Sequence, residues 1–101
     1  MRIEFERTGG FAGVRLTAAL DTAALPPDEA ADLEALVAAA GFFGLPPALA
    51  AARRQPDRFH YRLRVTARRA AHAVEVDEEA LPPALRPLVE RLTAAALAKP
   101  A

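Results

Sequence analysis

The sequence predicts an α+β protein of element order ββαββα, in which a four-stranded antiparallel sheet carries two helices packed on one face. Two pairs of short segments alternate apolar and polar residues, which is the pattern of half-buried strands. Each pair is followed by a proline-rich start and by apolar residues at helical spacing. The 101 residues suit a single domain, residues 1–101, with one modest core.

The first pair of strands is predicted at residues 2–7 and 14–20. Ile3 and Phe5 alternate with charged residues, so they are expected to face the core. The second strand is expected to turn four apolar residues inward, namely Val14, Leu16, Ala18 and Leu20. Three glycines lie between the strands, which predicts a hairpin with a long, glycine-rich tip.

A first helix is predicted at residues 27–40. Pro27 suits the first turn of a helix, and the acidic residues after it favour the positive end of the helix dipole. Gly41 is expected to end the helix. Of the two aromatic residues that follow, Phe43 is expected in the core because it continues the face of Ala40.

The segment after this helix has two interpretations. Phe42, Leu45 and Leu49 either pack within the loop or form a secondary exposed patch for a partner. The residues alone favour loop packing, and the secondary patch is the alternative.

A second hairpin is predicted at residues 58–67 and 72–77, and a last helix at residues 84–98. A four-residue turn between the strands predicts the cross-strand pairs Val65–Val74, Leu63–Val76, Arg64–Glu75 and Arg62–Asp77. This register places His60 and His72 on opposite faces of the hairpin, so joint metal binding is not expected.

A short motif occurs twice. Residues 21–27 read DTAALPP and residues 77–83 read DEEALPP, and each copy follows a hairpin and precedes a helix. The favoured interpretation is one local solution for leaving a sheet and entering a helix, and an internal duplication is the alternative.

Catalytic chemistry is not expected. The chain has no cysteine and no serine, and it lacks the usual zinc, phosphate-binding and nucleophile motifs. No catalytic residue, metal site or cofactor is therefore predicted. The amino-terminal residues alternate charged and apolar side chains and do not resemble a signal peptide, so a bacterial-type cytoplasm is the expected compartment. No apolar run is long enough to span a membrane.

Nucleic-acid binding is considered because seven arginines fall between residues 53 and 69. The outward positions of this hairpin lack the interleaved aromatic residues that stack on bases. Glu75 and Asp77 are also expected to neutralise the same face. No nucleic-acid partner is therefore predicted.

The glycine-rich tip is the strongest candidate site. An aromatic residue at the end of a turn either tucks over the core or protrudes as an anchor for a partner's pocket. The candidate contact residues are Gly9, Gly10, Phe11, Ala12, Gly13 and Arg15.

An ordered set of segments resembles the emfourin family. They are IEFERTGGFAGVRL, DTAALPPDEAADLEALVAAAGFFGLP, and DRFHYRLRV followed by HAVEVDEEALPPALRPLVERL. The resemblance covers roughly residues 2–92 and implies a small bacterial inhibitor of thermolysin-like (M4) zinc metallopeptidases that occupies the substrate cleft. The alternative is a protein–protein interaction module without a protease partner. A monomer is favoured over a dimer made by pairing edge strands.

Overall fold

Two helices and a five-stranded sheet make up the fold, which confirms the α+β class. The computed structural model describes residues 1–10, 13–53 and 57–98. Its strands are β1 (Arg2–Gly9), β2 (Leu16–Asp21), β3 (Ala48–Leu49), β4 (Phe59–Ala67) and β5 (Ala70–Asp77), and its helices are α1 (Pro27–Ala39) and α2 (Arg86–Ala98). None of these helices is long and apolar enough to cross a membrane.

The sheet has the strand order β2-β1-β4-β5-β3. The predicted four-stranded, wholly antiparallel sheet is wrong, because β3 adds a fifth strand that runs parallel to β5. The amide of Glu75 in β5 donates to the carbonyl oxygen of Pro47 at 2.9 Å, which fixes this edge. A strand of two residues is too short to show the alternation by which strands are recognised in a sequence.

One core lies between the sheet and the helices. Ile3, Leu63 and Val76 from the strands are fully buried together with Leu33 of α1 and Leu92 of α2. The opposite face of the sheet carries the charged residues, so the strands alternate as the sequence predicts.

The pairing of β4 with β5 differs from the predicted register by two residues. Leu63 lies opposite Val74 and Arg62 lies opposite Glu75, because the turn uses only two residues and not four. A shift of two keeps every side chain on its face, so the predicted core residues of this hairpin are correct. The predicted ion-pair partners are wrong.

The two aromatic residues after α1 exchange their predicted environments. Phe42 is 1% exposed and lies in the core, whereas Phe43 is 41% exposed. Gly41 adopts a left-handed conformation with φ of 60° and breaks the helical periodicity, and residues 42–44 form a 3₁₀ turn. The helical face of Ala40 therefore does not continue to Phe43.

Val14 also differs from the prediction. The sequence pattern places it on the inward face of the second strand, but β2 begins only at Leu16 and Val14 is 53% exposed. The glycine-rich connection therefore extends further along the chain than its glycines alone indicate.

Candidate functional site

The base of the glycine-rich tip is held against the start of β4. The β1–β4 ladder continues to Gly9, which lies opposite Phe59. The amide of Gly10 then donates to the carbonyl oxygen of Arg58 at 3.3 Å, and the amide of Gly13 donates to the carbonyl oxygen of Gly10 at 3.3 Å. The described part of the tip is thus ordered by backbone contacts with its own sheet.

The structure favours glycine at the three glycine positions of the tip for different reasons. Gly9 and Gly10 have φ values of 88° and 80°, which favour glycine. A Cβ on Gly9 would clash with the carbonyl oxygen of Arg58, and one on Gly10 would lie 2.7 Å from the Phe59 ring. Gly13 also has a positive φ, of 61°, but no atom lies within 4 Å of the position its Cβ would take. Only Gly13 therefore has open space beside it.

Two candidate residues of the tip, Phe11 and Ala12, lie outside the described residues. The choice between a tucked and a protruding Phe11 ring stays a prediction. Arg15 is described, and its Nε atom lies 2.7 Å from Oε2 of Glu6. Its side chain is 68% exposed, so it stands at the surface beside the tip.

A second segment reaches the same end of the sheet. Leu49 pairs with Val76 near the end of β5, and the amide of Ala51 donates to Oδ2 of Asp77 at 2.9 Å. A cleft of about 300 Å³ separates this segment from the tip, and Gly9, Ala51 and Arg53 line it. We call the tip and residues 49–53 together the rim.

Asp77 holds the rim together. Its Oδ1 atom lies 2.8 Å from Nδ1 of His60, while Oδ2 accepts the amide of Ala51. In the first copy of the repeated motif, Asp21 instead accepts the amide of Ala23 at 3.0 Å and caps a 3₁₀ turn. Asp77 makes no such cap, so the same motif position performs a different task at each end of the sheet.

The next two acidic residues fix the start of β4. Oε1 of Glu78 accepts the amide of Phe59 at 2.9 Å, and Oε1 of Glu79 lies 3.3 Å from Nε of Arg58. Asp77, Glu78 and Glu79 are not among the site residues that the sequence predicts. The signal was the enrichment of acidic residues in the second copy of the repeated motif relative to the first.

The predicted secondary patch is divided. Phe42 is in the core and cannot contribute, while Leu45 and Leu49 are partly buried against that core. The carbonyl oxygen of Leu45 lies 2.7 Å from Nε2 of His72, whereas Leu49 pairs with Val76. His72 and Val76 are four residues apart in β5, which corresponds to about 13 Å along the strand. Only Leu49 is adjacent to the rim.

The exposed face of the sheet is a network of ion pairs around an open groove of about 680 Å³. Arg62 lies 2.6 Å from Glu75, and Arg64 lies 3.9 Å from Glu4. The hydrogen bond from Arg62 lowers the pKa of Glu75 below its ordinary value of 4.5. Carboxylates thus offset the arginines of β4, as the sequence predicts, although through different pairs.

The histidines lie on opposite faces of the β4–β5 hairpin, as predicted. His60 contacts Asp77 on the charged face, and His72 packs edge-to-face against the buried Phe42 ring at 5.7 Å. Among residues 1–10, 13–53 and 57–98, no group of three or more histidine, aspartate or glutamate side chains is arranged to hold a metal ion.

The described part of the rim lies at one end of the sheet and has an ordered base. A family model named Emfourin matches residues 5–93, and the chain belongs to this family. Emfourin is a family of inhibitors, and membership points to inhibition of a metallopeptidase rather than to catalysis. Comparison with curated proteins and with solved structures gave no match.

Proposed function

We propose that this protein inhibits a thermolysin-like zinc metallopeptidase by placing the glycine-rich tip in the substrate cleft. The observation that carries the proposal is the family match, which covers residues 5–93 and so spans the rim, α1 and the first part of α2. The proposed contact residues remain Gly9, Gly10, Phe11, Ala12, Gly13 and Arg15, with Leu49 as the member of the secondary patch beside them. The cytoplasmic location and the monomeric state expected from the sequence belong to the same proposal.

The ordered base of the tip supports this mechanism. Gly9 and Gly10 are held by Arg58 and Phe59, so the tip does not have to become ordered at its base when it binds. A preorganised loop loses less conformational entropy on binding, and a rigid backbone resists the distortion that peptide cleavage requires. The tip is expected to block the cleft without being cut quickly.

Phe11 provides the specific contact in this proposal. Thermolysin-like enzymes favour a large apolar side chain directly after the bond they cleave. An aromatic ring flanked by small residues has the chemistry to fill such a pocket, and buried aromatic anchors commonly dominate interface energetics. The chain has no thiol to bind the zinc of the peptidase, so steric occlusion of the cleft is the simplest mode of inhibition.

The remainder of the rim enlarges the contact. A stable inhibitory interface buries about 1,600 Å² in total, which a single hairpin tip does not provide. Residues 49–53 lie across a narrow cleft from the tip and are held there by Asp77. Two segments that are distant in sequence thus form one surface.

Inhibition kinetics test the proposal. The purified protein is titrated against several thermolysin-like peptidases while the hydrolysis of a peptide substrate is followed. We expect saturable inhibition of at least one of them and none of a serine peptidase that cleaves the same peptide. Unchanged hydrolysis by every metallopeptidase at a large molar excess of the protein would contradict the proposal.

One observation favours the alternative of an interaction module without a protease partner. In the sheet formed by the described residues, β2 is an edge strand whose only strand neighbour is β1. Exposed edges can pair with a second copy of the chain. Light scattering over a concentration series distinguishes the two, because a dimer would gain mass with concentration and the proposed inhibitor would not.

A further inference from the structure

Arg7 is a partly buried cation at the base of the tip. It lies opposite Leu16 and Tyr61 in the sheet, on the face that Ile3 and Phe5 also occupy. Its guanidinium carbon is 4.0 Å from the centre of the Phe59 ring. Its Nε atom is buried and has no hydrogen-bond partner.

Five other arginines in and beside the strands differ from Arg7. Arg2, Arg15, Arg58, Arg62 and Arg64 each lie within 4.0 Å of a glutamate carboxylate. Among the residues that the structure describes, no carboxylate lies at ion-pair distance from Arg7. Within the described part of the chain, the contact recorded for its guanidinium group is the face of an aromatic ring.

Such an arrangement is unfavourable in the free protein. A guanidinium whose Nε–H is withdrawn from water without a hydrogen-bond partner loses part of its solvation, and the attraction of an aromatic face recovers only part of that loss. An unbranched apolar residue such as methionine would cover the same ring without that loss. The cation therefore calls for a role that the isolated fold does not provide.

The position of Arg7 indicates that role. The Phe59 ring that supports Arg7 also lies 2.7 Å from the position that a Cβ on Gly10 would take, so Arg7 and the base of the tip adjoin the same ring. Arg7 as a whole is only partly buried, and its buried, unpaired atom is Nε. The accessible part of the guanidinium group is therefore its two terminal nitrogens. Two parallel N–H groups match the two oxygens of a carboxylate.

We propose that Arg7, stacked on Phe59, binds an aspartate or glutamate carboxylate of the partner that receives the tip. The proposal rests on the proposed inhibitory function and adds the chemistry of one contact to it. The carboxylate approaches the terminal nitrogens end-on, since Nε is buried. The charge that is unpaired in the free inhibitor thus gains its counter-charge in the complex.

The test compares Arg7→Met with Arg2→Met. Arg2 is in the same strand at the far end of the sheet, and its exposed side chain lies 3.7 Å from Glu4. We expect Arg7→Met to raise the inhibition constant about tenfold and to flatten its dependence on salt. Arg2→Met should change neither. The melting temperature of Arg7→Met should equal or exceed that of the wild type.

The melting temperature separates a binding role from a structural one. Equal inhibition by Arg7→Met and the wild type would overturn the Arg7 proposal and leave the inhibitory function intact. Weaker inhibition together with a lower melting temperature would also overturn it, because Arg7 would then act by stabilising the fold.

A second measurement decides the case in which the wild type inhibits no peptidase. The Arg7 Nε–H resonance is followed by NMR while N-acetylglutamate amide is added to the wild-type protein. A saturable shift that is absent for the Arg2 Nε–H would support the carboxylate site although the inhibitory function had failed. No shift, or a shift with inorganic phosphate alone, would overturn it.

Discussion

Nδ1 of His60 lies 2.8 Å from Oδ1 of Asp77, and this contact joins β4 to β5 at the end of the sheet that carries the rim. The second oxygen of the same carboxylate accepts the amide of Ala51, in a segment 26 residues away along the chain. The Asp77 side chain is only 13% exposed, so solvent competes little for either contact. One carboxylate therefore positions residues 49–53 relative to the strands.

Asp77→Asn should loosen the rim without unfolding the protein. Asparagine keeps the shape but replaces a charged acceptor, so the Ala51 contact should weaken by about 1 kcal/mol. Hydrogen exchange should show faster exchange of the Ala51 amide, and the inhibition constant should rise several-fold. Asp21→Asn is the matched control, because it weakens the hydrogen bond made by the same motif position at the far end of the sheet. Equal exchange of Ala51 in both variants would contradict the assignment.

The three glycines of the tip should differ in their effect on stability. Gly9→Ala and Gly10→Ala combine an unfavourable φ with steric contact, so each should lower the free energy of unfolding by about 2 kcal/mol or more. Gly13→Ala should cost only about 1 kcal/mol, because its Cβ would meet open space. Denaturant unfolding measures all three, and an equal loss at Gly10 and Gly13 would show that Phe59 does not restrict Gly10.

The two adjacent aromatic residues provide a sharp comparison. Phe42→Ala removes a side chain that is 1% exposed and should lower the free energy of unfolding by about 3–5 kcal/mol. Phe43→Ala removes one that is 41% exposed and should change it by less than about 1 kcal/mol. Chemical denaturation measures both losses. A larger loss for Phe43→Ala than for Phe42→Ala would indicate that Phe43 lies in the core, as the sequence alone predicts.

Phe11→Ala tests the proposed anchor. We expect inhibition to weaken by about 2 kcal/mol or more, as for an interface hot spot, while the melting temperature stays the same. The ring would then be a contact for the peptidase. A lower melting temperature with unchanged inhibition would show instead that Phe11 packs on its own core.

The single tyrosine of the chain gives a direct measurement of pH dependence. Burial raises the pKa of Tyr61 above its ordinary value of 10.0, and the carboxylate of Glu78 acts in the same direction. The folded state therefore holds the phenol proton more tightly than the unfolded state does. The contribution of Tyr61 to the free energy of unfolding is fully present below pH 10 and is lost as the pH rises through the pKa of the folded state.

Ultraviolet titration of the phenol should therefore give a midpoint above 10 in the folded protein. Tyr61→Phe keeps the ring stacked on Phe5 and should show a smaller loss of stability at alkaline pH than the wild type. An ordinary midpoint would contradict the burial of the hydroxyl group.

Sequence patterns predict the faces of the strands better than their partners. Alternation places Leu63 and Val74 correctly in the core, but the register depends on the number of turn residues, which the pattern does not reveal. β3 is missed because two residues show no period. Gly41, just beyond the end of α1, adopts a left-handed conformation that redirects the chain, so Phe42 and not Phe43 enters the core.

The candidate site is predicted only in part. Its glycines are visible in the sequence, because three of them within five residues indicate an unusual turn. The support provided by Asp77 and Phe59 is not visible, because it depends on contacts between residues that are far apart in sequence. The unpaired charge of Arg7 is equally hidden, since the sequence shows twelve arginines and not which of them lack a carboxylate.

Among the described residues, the rim supplies no side chain to the fully buried cluster beneath the helices. Selection can therefore alter the composition of Val14–Arg15 and Ala50–Arg53 with little consequence for folding, provided that Asp77 and the three glycines of the tip are kept. The molecule is in this respect a scaffold with two exchangeable segments. Libraries randomised at these positions should yield variants directed at other peptidases while retaining the parent's thermal stability.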